Sequence, residues 1–120
     1  MMGAARGDCC SGVQERRVRK VLTLIESQPW LSVRDLAFEV RLSPAHLERL
    51  FKQETGVRVG DLVVERRLQE AACILTATET HIKQIAHTVG YKHHSSFVRA
   101  FQRRFAQTPK RYRQDGAATV

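Results

Sequence analysis

The chain has 120 residues, 42% of them apolar and 27% charged, a length and balance that suit one ordinary globular domain rather than two large ones. A chain of this size buries roughly 65% of its unfolded surface, enough for a real core. Twenty Lys and Arg stand against twelve Asp and Glu, and the formal charge of +8 favours a polyanionic partner, either nucleic acid or an anionic membrane. The longest apolar run, residues 71–75, is far below the roughly 18 residues a spanning helix requires. Arg6, Asp8, Cys9, Cys10 and Ser11 stand where a secretory leader would be apolar, so export is not expected. Three cysteines, two of them adjacent, suit a reducing cytoplasm better than a disulfide framework.

The positive charge is unevenly placed. Residues 1–79 hold 12 basic and 11 acidic residues, residues 80–114 hold 8 basic and none acidic, and Asp115 is the last charge. Basic runs on solvated helix faces are ordinarily interleaved with Glu, so an acid-free run points toward phosphate.

Residues 1–12 are small, polar and aperiodic and read as a mobile tail. Val18, Val21, Leu22, Leu24 and Ile25 then keep the spacing of a helix face, which Pro29 stops, giving a first helix over residues 13–27. Ser32, three residues before Asp35, is the cap of a short second helix that buries Leu36, Ala37 and Val40. Ser43-Pro44 starts a third helix, with Leu47, Leu50 and Phe51 inside and Gly56 as its stop. Residues 61–76 form a longer fourth helix, with Leu62, Leu68, Ala71, Ala72 and Leu75 on one side. Ile82, Ile85, Ala86 and Val89 mark a fifth helix ended by Gly90, and Phe97, Phe101 and Phe105 a sixth. Pro109 opens a short basic tail helix through Arg113, and residues 116–120 read as a C-terminal tail.

Laid over itself at an offset of 49, the chain pairs Val33 with Ile82, Leu36 with Ile85, Ala37 with Ala86 and Val40 with Val89. At an offset of 50 it pairs Leu47 with Phe97, Arg49 with Arg99 and Phe51 with Phe101. The one-residue change falls in the turn between the paired helices, where insertion costs least. Any all-helical chain has some self-similarity, but small alanines where two helices must approach and arginines at matched positions argue for two copies of a helix-turn-helix unit. In such a unit the second helix lies in the DNA major groove, where an arginine can bond guanine O6 and N7 together.

These residues resemble the DNA-binding domain of the AraC/XylS family of bacterial transcription regulators. The similarity covers residues 18–113 and is most specific in Ile85-Ala86-x-x-Val89-Gly90-Tyr91, Ser95-x-Phe97-x-Arg99-x-Phe101 and Thr108-Pro109-x-x-Tyr112-Arg113. The first half adds Leu36-Ala37, Ser43-Pro44-x-x-Leu47-x-Arg49-x-Phe51-Lys52 and Glu54-Thr55-Gly56, and the fourth helix adds Arg67-Leu68-x-x-Ala71-x-x-Ile74-Leu75. The resemblance implies an all-α, homeodomain-like fold of about seven helices over residues 13–115. Two helix-turn-helix subdomains, residues 13–58 and 80–113, would be joined by a linker helix at 61–76. The recognition helices would be residues 44–55 and 94–105, entering successive major grooves on one side of the duplex.

Carried over position by position, the base-facing residues are Ala45, Glu48 and Arg49 on the first recognition helix and His94, Ser95, Val98 and Arg99 on the second. Ser43, His46, Lys52, Lys92, His93, Arg103, Arg104, Lys110 and Arg111 are expected to contact phosphate. Departures from the family pattern are His93 for an acidic residue, Ala106 for glycine, Val59 for proline and His81 for a capping serine. A lost N-cap costs about 1 kcal/mol unless Thr80 caps the fifth helix instead. Glu48 would be repelled by phosphates but could accept a bond from cytosine N4 or pair with a neighbouring arginine.

Other chemistries find less support. Five histidines and three cysteines show no metal-ligand spacing, so neither a metal nor a cofactor is expected. Cys73 reads as a small core residue, with redox sensing as the alternative, and Trp30 and the Phe97, Phe101, Phe105 row also read as core. No phosphate loop and no nucleophile beside a base occurs, so no enzyme is expected. The expected function is sequence-specific DNA binding in transcription regulation, in the bacterial cytoplasm and on the nucleoid when bound. A monomer would read an asymmetric double-stranded site, two unlike half-sites about 10 base pairs apart, with RNA polymerase as a candidate second partner. An architectural DNA binder without sequence preference is the alternative, and a helical domain docking on an acidic protein a third class. The chain leaves no room for the ligand-binding domain many family members carry, so a stand-alone member or a detached C-terminal domain is expected, without an effector pocket.

Overall fold

Serine, proline and glycine at their expected places set several of the helix ends. The computed structural model describes residues 15–118, which form α1 (Arg16–Ser27), α2 (Val33–Glu39), α3 (Pro44–Thr55), α4 (Val59–Ala77), α5 (Ile82–Thr88), α6 (His94–Phe105) and α7 (Pro109–Ala118). Among these residues there is no strand, so the all-α, seven-helix architecture is as expected.

Three helix ends differ from the sequence expectation. α1 starts at Arg16 because Glu15 is its N-cap, its carboxylate accepting from the Arg17 N–H at 2.8 Å. The tail expected over residues 1–12 lies outside the described residues. α4 gains its first turn because Val59 and Val63 are buried. α7 continues to Ala118, through positions where a tail is expected. Thr108 accepts from the Arg111 N–H at 3.2 Å at its start, and Arg111 pairs with Asp115 one turn on at 3.3 Å.

The described residues pack as two compact units that divide within α4, one ending at Val63 and the other beginning at Val64. In the first, α3 packs on α1 and α2 around Val18, Val21, Leu22, Ile25, Leu36, Ala37, Leu47 and Phe51, and Val59 and Val63 close the core. In the second, α6 packs on α5 and α7 around Leu68, Ala71, Ala72, Leu75, Ile85, Ala86, Phe97 and Phe101. The sequence repeat is therefore longer than the helix-turn-helix pair. At an offset of 50, Val18, Val21, Leu22 and Ile25 of α1 match Leu68, Ala71, Ala72 and Leu75 of α4. The C-terminal part of α4 is thus the first helix of the second unit, where the sequence reading has only a linker.

Backbone conformation repeats as well. The four described residues with positive φ form two matched pairs: Arg41 (60°) with Gly90 (110°), and Gly56 (83°) with Ala106 (63°). In the first pair the left-handed residue closes a Schellman turn, since Leu42 N–H reaches Ala37 O at 2.9 Å and Tyr91 N–H reaches Ala86 O at 2.9 Å. In the second pair, Gly56 N–H donates to Lys52 O at 2.9 Å and Ala106 N–H to Gln102 O at 2.8 Å. Each pair has glycine in one unit and a side chain in the other, so Arg41 and Ala106 hold a conformation that costs a non-glycine residue about 1 kcal/mol or more.

Caps distinguish the units. Ser32 and Asp35 form a full capping box, and Ser43 accepts from the His46 N–H at 3.1 Å. Their counterparts His81 and His93 make no capping bond. Thr80 is turned the other way, its hydroxyl accepting from the Thr78 hydroxyl at 3.0 Å.

Three core expectations are corrected. Trp30 is 50% exposed, because Pro29 takes the buried place after α1. Cys73 is exposed, since the buried stripe of α4 runs through Leu68, Ala71, Ala72 and Leu75 and leaves position 73 off that face. Phe105 is half-buried against the second core rather than fully inside it.

His81→Ser, which restores a Ser-x-x-Gln capping box with Gln84, is expected to raise stability by about 1 kcal/mol in urea unfolding. Ala106→Gly and Gly56→Ala are expected to move stability in opposite directions, up and down by about 1 kcal/mol. A Cβ at Gly56 meets nothing within 4 Å, so the backbone cost is isolated there.

Candidate nucleic-acid interface

α3 and α6 are the second helices of the two turn-linked pairs, and each buries one face through two large residues, Leu47 and Phe51 or Phe97 and Phe101. The opposite face of α3 is solvent-exposed at Ala45, Glu48, Arg49 and Lys52, the spacing of a continuous helix stripe. On α6, His94, Ser95 and Arg99 are exposed, whereas Val98 is half-buried and packs against the second core. Arg49 and Arg99 are both the sixth residue of their helices, and neither has an ion-pair or hydrogen-bond partner among the described residues.

Ala45, Glu48, Arg49 and Lys52 line one concavity together with Arg58 and the first turn of α4. Arg58 is a cation that the sequence reading passes over. The left-handed turn at Gly56 brings it back beside α3, and a glycine stop followed at once by a new helix was the available signal. Lys52 Nζ donates to Gly56 O at 3.1 Å while remaining exposed. Ser43 has a lone pair committed to the cap, which leaves its O–H free to donate. His46 is exposed beside it.

In the second unit Lys92, His93, Arg103, Lys110 and Arg111 are exposed. Arg104 differs. Its Nε and Nη2 donate to the two carboxylate oxygens of Glu65 at 2.7 and 2.9 Å, and its guanidinium lies 4.8 Å from the Phe105 ring centroid. The hydrogen bond from Arg104 holds the Glu65 carboxyl below its ordinary range, against the opposing effect of burial. Arg113 is half-buried, donating to Leu75 O at 2.9 Å near the C-terminus of α4 and to Thr80 O at 2.7 Å. Tyr112 packs on Phe101 and Phe105, with ring centroids 5.3 Å away in each case. Tyr91 packs on Phe97, and its buried hydroxyl has no hydrogen-bond partner among the described residues; burial pushes its pKa up, while Arg67, 5.7 Å from the ring centroid, acts the other way.

Among the described residues, no cluster of His, Cys, Asp and Glu is arranged to hold a metal ion, and no helix is long and apolar enough to cross a membrane. The geometry is that of a double helix-turn-helix DNA-binding domain, each unit presenting one polar helix face on a packed three-helix support.

Comparison with known proteins agrees. A family model described as a helix-turn-helix domain matches residues 36–115. The chain is 37% identical over 100 residues to the right origin-binding protein of Escherichia coli K12, covering 81% of this chain and 34% of that protein. It is 32% identical over 106 residues to the probable transcription factor PqrA of Proteus vulgaris, covering 85% of this chain and 87% of that one. Among solved structures, the C-terminal domain of AraT, a response regulator from Geobacillus stearothermophilus, matches with a TM-score of 0.74 at 33% identity, over 84% of this chain and 86% of that one. The DNA-binding domain of AdpA, a global transcriptional factor solved with a target DNA, shares the fold at a TM-score of 0.76 and 20% identity, over 88% and 96% of the two chains. The chain belongs to the AraC/XylS family of helix-turn-helix regulators, in the part of them that forms the DNA-binding domain. It spans about a third of the length of the first curated relatives it matches.

Folding lowers the Glu65 pKa, so the Glu65–Arg104 pair contributes to stability above the ordinary carboxylate range and its contribution is lost as pH falls through the lowered value. Wild type is expected to be more stable than Glu65→Gln at neutral pH, with the difference closing on acidification, as read by thermal unfolding across pH.

Proposed function

We propose that this protein regulates transcription by binding a specific double-stranded DNA site, with α3 and α6 each placed in a major groove. The observation that carries the reading is the matched pair Arg49 and Arg99. Both sit at the same position of equivalent helices, exposed and without a protein partner, as an arginine that bonds guanine must be. Ala45, Glu48, His94 and Ser95 flank them as further base contacts, and Val98 offers only part of its surface, enough to touch a thymine methyl.

Ser43, His46, Lys52, Lys92, His93, Arg103, Lys110 and Arg111 neutralise and position phosphates in this reading, and Arg58 joins them. Arg104 leaves that set because two of its nitrogens are committed to Glu65 at 2.7 and 2.9 Å, whereas Arg111 gives Asp115 a single bond at 3.3 Å. The two recognition helices belong to one chain and differ in sequence, so the site is asymmetric, two unlike half-sites about one helical turn apart, and a monomer suffices. The names of the relatives as transcription factors and regulators support a role in transcription, and this reading includes a bacterial cytoplasmic setting and RNA polymerase as a candidate second partner. No step of this reading needs a cofactor or catalysis.

In titrations of single-base variants of the bound duplex, Arg99→Ala is expected to flatten the preference at one base-pair position, a loss of about 1–3 kcal/mol in discrimination there. Lys110→Ala is expected to weaken all sequences alike and reduce the salt slope by about 1. Uniform weakening by both variants would reassign Arg99 to phosphate and favour architectural binding.

A further inference from the structure

Four of the five histidines lie in the second unit, and three of them converge on one concavity. It measures about 630 Å³, between α5 and the start of α6, and is lined by His81, Lys83, His87, Lys92 and His94 with Tyr91. All five basic side chains are exposed, and the lining contains no acid. His81 occupies the N-cap position of α5 without capping it, so its imidazole has no structural task there. Arg67 of α4 stands over the Tyr91 ring, Arg113 of α7 bonds the Thr80 carbonyl, and His93 precedes His94 at the start of α6. Glu79, in the segment before α5, is the nearest acid in sequence.

The internal repeat shows that this chemistry belongs to the second unit. The positions matching His81, His87 and His94 are Ser32, Phe38 and Pro44, none of which titrates near neutrality. Histidine changes charge between about pH 5 and 8, and an anion held against an imidazole favours the protonated form. A phosphodiester seated here would therefore be bound with uptake of protons, and by linkage its affinity would rise as pH falls.

Resting on the reading that this domain binds DNA, we propose that the α5–α6 concavity is a proton-dependent seat for the DNA backbone. Through it, acidification tightens the hold of the second unit while the first unit holds without that seat. Lys83 and Lys92 supply the standing charge, and His81 and His87 take up protons as the phosphate seats.

The test is the dissociation constant for a duplex selected by the protein, measured by fluorescence anisotropy at fixed ionic strength near pH 7.5 and pH 5.5. Wild type is expected to bind about tenfold or more tightly at the lower pH, the effect of about one unit of linked proton affinity. Its salt slope should steepen by about 0.9 for each added phosphate neutralised. The His81→Gln/His87→Gln variant should keep less than about a threefold gain, and His81→Lys/His87→Lys should bind tightly at both pH values. Equal affinity at the two pH values, or a gain that survives in the glutamine variant, overturns this proposal and leaves the DNA-binding reading standing. Absence of DNA binding at either pH would overturn both.

Discussion

Each helix-turn-helix pair is closed by one backbone hydrogen bond, from the residue after a left-handed turn back to the carbonyl of a small alanine. Leu42 reaches Ala37 and Tyr91 reaches Ala86, both at 2.9 Å, and both alanines are buried. The bond fixes where the following helix begins, and the alanine, with no side chain beyond Cβ, lets that helix come close. A larger residue at either position would overpack a full core, at a cost of typically 1–3 kcal/mol. The burial of Leu47 and Phe51, or of Phe97 and Phe101, follows from that closure, and so does the outward face of α3 and α6. The candidate interface is thus a consequence of the core: the side chains buried in it decide which ones are left to face solvent.

The two units meet this constraint with different local chemistry. The first has serine caps at both helix starts, yet carries Arg41 in the left-handed turn; the second has Gly90 in that turn but histidines at both caps and Ala106 at the end of α6. The second unit offsets its poorer helix ends with a cluster of aromatic rings, Tyr91, Phe97, Phe101, Phe105 and Tyr112, in successive contact. It also uses two arginines internally, Arg104 on Glu65 and Arg113 on the carbonyls of Leu75 and Thr80. Two cations of the acid-free stretch 80–114 are therefore held by partners within the unit.

Much of this was legible in the sequence because the signals were local. Ser43-Pro44 and Gly56 bracket α3 as read, and the turn between the paired helices absorbs the one-residue change in repeat offset. Cys73 was also legible and was misread: helical spacing puts it off the buried stripe of α4, and the usual burial of cysteine is the weaker guide. Trp30 was not, because it follows the end of α1, where periodicity gives no face to count from. The pairing of Arg104 with Glu65, 39 residues apart, depends on tertiary packing that no spacing rule carries. The double service of α4 was hidden because alanines at 71 and 72 stand where α1 has valine and leucine, so the match shows in position and burial rather than in residue type.

The central claim is that two equivalent recognition helices read sequence rather than merely hold phosphate. Selection of bound duplexes from a randomised library, with the winner and a scrambled control titrated at two salt concentrations, tests it most directly. The account predicts an enriched two-part motif whose unlike halves lie about 10 base pairs apart, and a preference for the winner that persists at higher salt. Binding with a steep salt slope and no enriched motif would contradict it, because phosphate neutralisation alone would then explain the affinity.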